Sequence, residues 1–285
     1  YSYAVGQKWC DGFTSICRTD SPHYPEQLKD IIQKWKIDLI IPGIEQDAQF
    51  WAENIHLLNQ TSVKVVLNDR NLIELSKDKW ALIEFLRNNA LLCIESSLSS
   101  NYQELVKQLG LPFLVKPRRS YASKGLKIIH STEQFAQVSP KMGEVYLAQK
   151  IIGTDDHEYT ASVFGYGDGT VSKSIIFQRY LHLTGATERA TIIKSDAIDQ
   201  SIAELSRLLK PIGPTNFQYR YENGEYYLLE INPRFSSSHS LKEKFGFPEA
   251  EMTAKFYLEG QKGDNINIKE GWAIRYLEDV VFLKE

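Results

Sequence analysis

Cysteine is scarce in this chain, and the thiols present, Cys10, Cys17 and Cys93, are odd in number and form no CxxC pair. They match neither a disulfide framework nor a CxxC metal pair, and unpaired thiols in a reducing compartment, the cytoplasm, are expected. No apolar run approaches the ~20 residues that a bilayer-spanning helix needs, so a membrane partner is not expected. Neither sign of charge is in excess: 33 Lys and Arg against 36 Asp and Glu leave a formal net charge of -3. The basic residues are scattered rather than striped, which gives no footprint for a nucleic-acid backbone. GxGxxG, GxxxxGK[ST] and GxSxG are all missing, which removes the dinucleotide fingerprint, the Walker loop and the nucleophile elbow. An initiator Met is missing as well, and "YSYAVG" reads as mid-domain sequence, so the N-terminal layer is expected to be incomplete.

What is present is a chain of 285 residues, 42% hydrophobic and 24% charged, long enough for two compact units or one domain with an inserted lobe. "PEQLKDIIQKWK" sets Leu28, Ile31, Ile32 and Trp35 at helical spacing, and "IDLIIPG" is a short apolar run closed by Pro-Gly. A second helical run leads into "VKVVL", so residues 1 to about 70 read as a wound α/β layer with parallel strands. "SKDKWALIEFLRNN" predicts a connecting helix with Ser76 at its cap and Trp80, Leu82, Ile83 and Leu86 on its apolar face. Helices and strands alternate densely between about 95 and 150, as in a small separate lobe. The remainder predicts an antiparallel hairpin around the "GYGDG" turn, a helix, and a second hairpin through "ENG", an α+β half.

The chemistry gathers in "YLLEINPRFSSSHSL", residues 227–241. Alternate residues of a strand share a face, so Glu230, Asn232 and Arg234 project together while Leu229, Ile231 and Pro233 take the other side. Two oxygen donors and a guanidinium suit a hard cation beside a phosphate. On the partner strand Gln218 joins Glu230 only if the "ENG" turn is a three-residue loop, Glu222 to Gly224 with a G1 bulge; an Asn223-Gly224 two-residue turn would put Gln218 on the opposite face. The three-residue loop is therefore predicted. In "PFLVKPRRSYASKGLKII", Lys116 ends an apolar strand, and Arg118, Arg119 and Lys124 surround a small-residue loop suited to covering phosphates.

Together these motifs resemble the ATP-grasp superfamily, and most closely the ATP-grasp units of the carbamoyl phosphate synthetase large chain and their single-unit relatives. The resemblance runs from about "KIDLIIPG" to "FGFPEAEMTAKFYLEG". It implies a mixed α/β and α+β fold: a Rossmann-like layer over 1–72, a connecting helix over 73–94, a small lid lobe over 95–150, and a larger antiparallel lobe carrying the metal site over 151–285. Lys79 and Lys116 match basic positions that contact ATP phosphates, and Arg118 through Ser123, Lys124 and Gly125 match the lid loop. Gln149, Lys150, Ile151 and Ile152 match the strand whose backbone reads adenine; Glu158 matches the ribose acid, and His182 a nucleotide-side His. Gln218, Glu230 and Asn232 match magnesium positions, with Mn²⁺ as an alternative ion, and Arg234 matches the Arg beside the transferred phosphoryl group.

Departures from the pattern bear on the substrate. Ser120 and Ala122 stand where Gly is common, Gln149 stands where an acid is frequent, and Ser237 occupies the place of a second Arg that helps bind bicarbonate. The expected activity is an ATP-dependent ligase that activates a small carboxylate as an acylphosphate and joins it to an amine. The alternatives are carbamoyl phosphate synthetase-like phosphorylation of bicarbonate or carbamate, and a nucleotide-binding module without turnover. Selectivity is expected from the loops around "IPGIEQD" and "SSSHS", and the aromatic content leaves room for a homodimer face.

Overall fold

A computed structural model describes residues 4–59, 61–120, 125–182, 185–263 and 266–282. Among them no helix is long and apolar enough to cross a membrane. In the N-terminal layer, α1 (Tyr24–Trp35), β1 (Leu39–Ile40), α2 (Glu45–Asn54) and β2 (Lys64–Val65) follow in order. Parallel strands need a crossover, and α2 supplies it: Leu39 lies opposite Lys64 and Ile40 opposite Val65. Trp51, Leu58 and Val65 form the core of this layer, and Leu28 and Ile32 of α1 pack on it. Trp35, expected on that face, is 41% exposed, because it ends the helix and its Nε1 donates to Thr14 Oγ1 at 3.2 Å.

The connecting segment departs from expectation. It is two helices, α3 (Arg70–Lys77) and α4 (Lys79–Asn88), with extended Asp78 between them. Ser76 lies inside α3 and donates to the Ile73 carbonyl at 2.8 Å, so it caps nothing. Asp78 is the cap: its Oδ1 accepts from the Trp80 and Ala81 N–H groups at 2.9 and 3.4 Å. A carboxylate wins over a hydroxyl here because it also takes the Arg118 guanidinium, with Nε at 3.2 Å and Nη2 at 2.8 Å. The Lys79 N–H donates to the Arg118 carbonyl at 2.9 Å, so this joint ties the helices to the following lobe.

That lobe contains β3 (Ser96–Ser97), α5 (Tyr102–Leu109), β4 (Phe113–Pro117), β5 (Lys127–Ile129), α6 (Thr132–Ala136) and β6 (Tyr146–Lys150). Its antiparallel sheet has the order β3-β6-β4-β5, over a core of Leu105, Phe113, Val115, Ile129 and Phe135. The larger half runs β7 (Glu158–Tyr166), β8 (Ile175–Leu181), β9 (Thr187–Ile193), α7 (Asp196–Leu209), β10 (Ile212–Glu222), β11 (Glu225–Asn232), α8 (His239–Lys244), α9 (Glu249–Ala254) and β12 (Trp272–Ile274). Its sheet has the order β11-β10-β7-β8-β9-β12, so β9 and β12 extend the hairpin expected from the sequence. Ile198, Ile202 and Leu205 of α7 cover one sheet face together with Ala161, Val163, Phe217, Tyr219, Leu228 and Ile231. By alternation the opposite face carries the polar residues of the same strands.

The β10–β11 turn corrects the sequence reading. Glu222 pairs with Glu225, leaving Asn223 (φ 52°) and Gly224 (φ 90°) as a two-residue loop, the left-handed pair that Asn-Gly adopts readily. Glu222 avoids facing its like-charged partner by accepting from the Gly153 N–H at 3.1 Å. The register then slips between Tyr219 and Gln218: Tyr219 pairs with Leu228 and Gln218 with Glu230, so Leu229 is a bulge. Gln218 reaches the Glu230 face after all, by a bulge in mid-strand instead of a longer turn.

Asp78→Ala removes both a cap and the partner of a guanidinium that is 24% exposed. The expected cost is about 2–3 kcal/mol in urea unfolding, with a smaller loss for Asp78→Asn. Burial pushes the Asp78 carboxyl up, but Arg118 and the two amide N–H groups outweigh it and hold the carboxyl below its ordinary range. Its contribution is therefore full above the unfolded value near pH ~4 and is lost as pH falls below it; Asp78→Asn is expected to flatten that part of the stability profile.

Candidate functional site

A cavity of about 470 Å³, within the usual range for small-molecule sites, is lined by residues of the N-terminal layer, the small lobe and the polar face of the large sheet. The bulge sets its floor: Gln218 lies directly opposite Glu230, and Asn216 opposite Asn232. Asn232 Nδ2 donates to Glu230 Oε1 at 3.1 Å, and Arg234 Nη2 approaches Asn232 Oδ1 at 3.4 Å. Arg234 is steadied by its own donation to the Phe235 carbonyl at 2.9 Å. Glu230, Asn232 and Arg234 thus share a face as their spacing predicted. Leu229 does not take the opposite face: it lines the cavity, and Leu228 takes the core position with Ile231.

Two cations close the cavity from the other side. Lys79, at the start of α4, donates to the Ser120 carbonyl at 2.7 Å. Lys116 is buried near the end of β4, and burial together with the like charge of Lys79 lowers its ammonium to about 8, with Glu230 opposing. Burial also lowers Lys79, against the attraction of Glu230 and Glu45. Among the described residues neither ammonium group is in ion-pair contact with a carboxylate, which leaves both able to hold an anion.

Further round, Gln149, Lys150, Ile151 and Ile152 line the cavity as a continuous segment, and Gln149 Nε2 donates to Ser96 Oγ of β3 at 2.8 Å. Glu158 lines it too, but its carboxylate is already engaged: Oε1 accepts from Arg179 Nη2 at 2.7 Å and Oε2 from Arg220 Nη2 at 3.0 Å. Arg179 also donates to Gln218 Oε1 at 2.5 Å, and among the described residues its buried Nε has no partner. The sequence reading missed Arg179 and Arg220. The available signal for Arg179 was a guanidinium inside the apolar run "SIIFQRYL", which only tertiary pairing makes affordable. It also missed Asn216, whose Oδ1 accepts from Thr160 and Ser162 hydroxyls at 2.7 and 2.8 Å.

Other expected site residues stand elsewhere. Arg118 is turned from the cavity to Asp78 and the Gly143 carbonyl, the latter at 2.6 Å, so it braces the lobe. Arg119 is exposed, 3.4 Å from the same aspartate. Ser123 and Lys124 lie outside the described residues. Gly125 adopts φ +79°, and a Cβ there would stand 2.9 Å from Pro117 Cγ, so the chain needs glycine where the loop rejoins β5. His182 follows β8 and is exposed, while Leu181 and Gly185 on either side line the cavity.

A Gln, a Glu and an Asn offer one carboxylate and two amide oxygens from adjacent strand positions. No cluster of three or more His, Cys, Asp or Glu that could hold a metal occurs among the described residues. This donor set fits Mg²⁺, which takes one or two carboxylates and completes its shell with water and substrate phosphate, once Arg179 shares or yields the Gln218 oxygen.

Residues 154–280 match the family described as "ATP-grasp in the biosynthetic pathway with Ter operon". The biotin carboxylase domain of Hydrogenobacter thermophilus 2-oxoglutarate carboxylase, determined with MgADP and bicarbonate, superposes with a TM-score of 0.73 at 16% identity, over 95% of this chain and 65% of that one. The chain has the ATP-grasp fold. In fold it also resembles an L-amino acid ligase from Bacillus licheniformis, with a TM-score of 0.61 and 16% identity over 83% of this chain and 60% of that one. In sequence it is 27% identical to the carbamoyl phosphate synthase large chain of Methanosarcina acetivorans over 172 residues, 55% of this chain and 16% of that one. The chain therefore spans about a sixth of that relative's length.

The Arg179–Glu158 pair provides a test of the site's frame, since both side chains are only 6% exposed. A double-mutant cycle of Arg179→Met and Glu158→Gln in urea unfolding is expected to give a coupling of about 1–3 kcal/mol; simple additivity would deny the pair.

Proposed function

We propose that the chain houses an ATP-dependent ligase site that activates a small-molecule carboxylate as an acylphosphate and joins it to an amine. The carrying observation is that Gln218, Glu230 and Asn232 line the same cavity as Lys79, Lys116 and Arg234, with the Gln149–Ile152 segment on the same wall. Fold similarity to proteins named as an L-amino acid ligase and as a carboxylase domain holding MgADP supports the same reading.

In this reading the adenine lies along Gln149–Ile152 and the phosphates between Lys79 and Lys116. Each Glu158 oxygen keeps a second lone pair, so the carboxylate can still accept from a ribose hydroxyl while Arg179 and Arg220 fix it. Gln218, Glu230 and Asn232 would hold Mg²⁺, which supplies charge neutralisation at the phosphates. A substrate carboxylate oxygen attacks the γ-phosphorus and ADP leaves, giving the acylphosphate. The amine nitrogen then attacks the acyl carbon, phosphate leaves, and the nitrogen gives up its proton as the amide forms. Arg234 faces the transferred group and stabilises its charge, which is where phosphoryl transfer gains most from a protein. Ser237, also at the cavity wall, offers a hydroxyl where bicarbonate recognition would profit from a second guanidinium.

Arg234→Ala and Glu230→Gln are each expected to lower kcat by about 10²-fold or more in an ATP- and carboxylate-dependent phosphate-release assay, with thermal unfolding nearly unchanged. Near-parental turnover in either variant contradicts the assignment. Because only the ammonium form of Lys116 attracts phosphate, and that form titrates at about 8 in the free protein, ATP affinity is expected to be full below that pH and to weaken above it. Lys116→Arg, which keeps its charge, is expected to abolish the fall in calorimetric titrations between pH 7 and 9.

A further inference from the structure

The cavity contains an acid that the ligase reading does not use. Glu45 opens α2, on the N-terminal layer, and lines both the main cavity and a smaller recess that it shares with Ser76, Asn232 and Arg234. It is half-buried, it accepts no hydrogen bond from a described residue, and its charge attracts the Lys79 ammonium. Its neighbour in the same helical turn, Asp47, is by contrast satisfied by the Tyr24 hydroxyl at 3.1 Å. The other acid at this end, Glu230, is engaged by Asn232 and belongs to the oxygen-donor set.

A carboxylate that lines the same recess as Arg234 works against a substrate that is only anionic, since it repels the charge that Arg234 attracts. It is matched by a substrate carrying both signs. Resting on the ligase reading, we propose that the activated acid is an amino acid, its carboxylate directed to Arg234 and its ammonium held by Glu45. The recess is small, about 20 Å³, and Ala48, Ile73, Ser76 and Lys77 wall it, so the side chain it accepts is short. The ammonium bound to Glu45 stays protonated and does not attack the acylphosphate, so the amine that forms the amide comes from a second molecule.

Hydroxylamine replaces the unknown nucleophile in the test, and hydroxamate is measured with ATP, Mg²⁺ and paired acids, glycine against acetate and alanine against propionate. The amino acids are expected to exceed their deamino partners by about tenfold or more in kcat/KM, through KM. In Glu45→Gln that ratio is expected to collapse towards one, and Glu45→Asp to recover part of it, with thermal unfolding checking each variant. Deamino acids used as well as amino acids by the parent protein, or a ratio unmoved by Glu45→Gln, overturn the proposal. Calorimetric binding of the same acids, with a non-hydrolysable ATP analogue present, separates the two readings. Alanine binding that Glu45→Gln weakens, without any hydroxamate, upholds the ammonium site and sinks the ligase; equal binding of alanine and propionate sinks the ammonium site whatever the turnover.

Discussion

One extra residue, Leu229, determines what the floor of the cavity is made of. A ladder continued without a bulge from the Asn223-Gly224 turn would set Gln218 against Leu229 and leave Glu230 on the core side of the sheet beneath α7. The bulge reverses that phase, so that Gln218 meets Glu230 and Asn216 meets Asn232 on the cavity face, while Leu228 and Ile231 stay in the core. Everything the site does with oxygen donors follows from that local change of register.

Charge organises the rest. Lys79, Lys116, Lys150, Arg179, Arg220 and Arg234 line one cavity together with the acids Glu45, Asp155, Glu158 and Glu230. Glu158 pairs with both Arg179 and Arg220, and Asp155 adds a second negative charge at Arg220, which turns two cations into a scaffold. Among the described residues neither Lys79 nor Lys116 forms an ion pair, and burial lowers both ammonium groups against the more distant attraction of Glu230. Beneath the floor, Lys242 and Glu249 form a fully buried pair at 2.5 Å, and Glu249 also meets His239 Nδ1 at 3.0 Å. Lys242 reaches Ser162 at 3.3 Å and so supports Asn216, linking the floor to α8 and the Ser236–Ser237 segment that precedes it.

Much of this was legible in the sequence, and the failures have physical causes. Alternation along "LEINPR" is a local rule, and it brought out Glu230, Asn232 and Arg234 correctly. The position of Gln218 depended on a bulge, which leaves no composition mark, so the turn was assigned the wrong length and the wrong register although the shared face of Gln218 and Glu230 was right. Ser76 and Asp78 were both acceptable caps locally; a guanidinium 40 residues away, on Arg118, decided between them. The same contact drew Arg118 off the loop where its charge run had placed it. Arg179, Arg220 and Asn216 reach the cavity through partners on other strands, and Glu45 lines it from a separate layer, so no linear pattern could announce them.

A structure with Mg²⁺ and a non-hydrolysable ATP analogue is the most direct test of the account. It predicts the metal on Glu230, Asn232 and Gln218, the triphosphate between Lys79 and Lys116, and the adenine along Gln149–Ile152. A nucleotide bound away from this cavity, or a metal held without the β10–β11 oxygens, would contradict it.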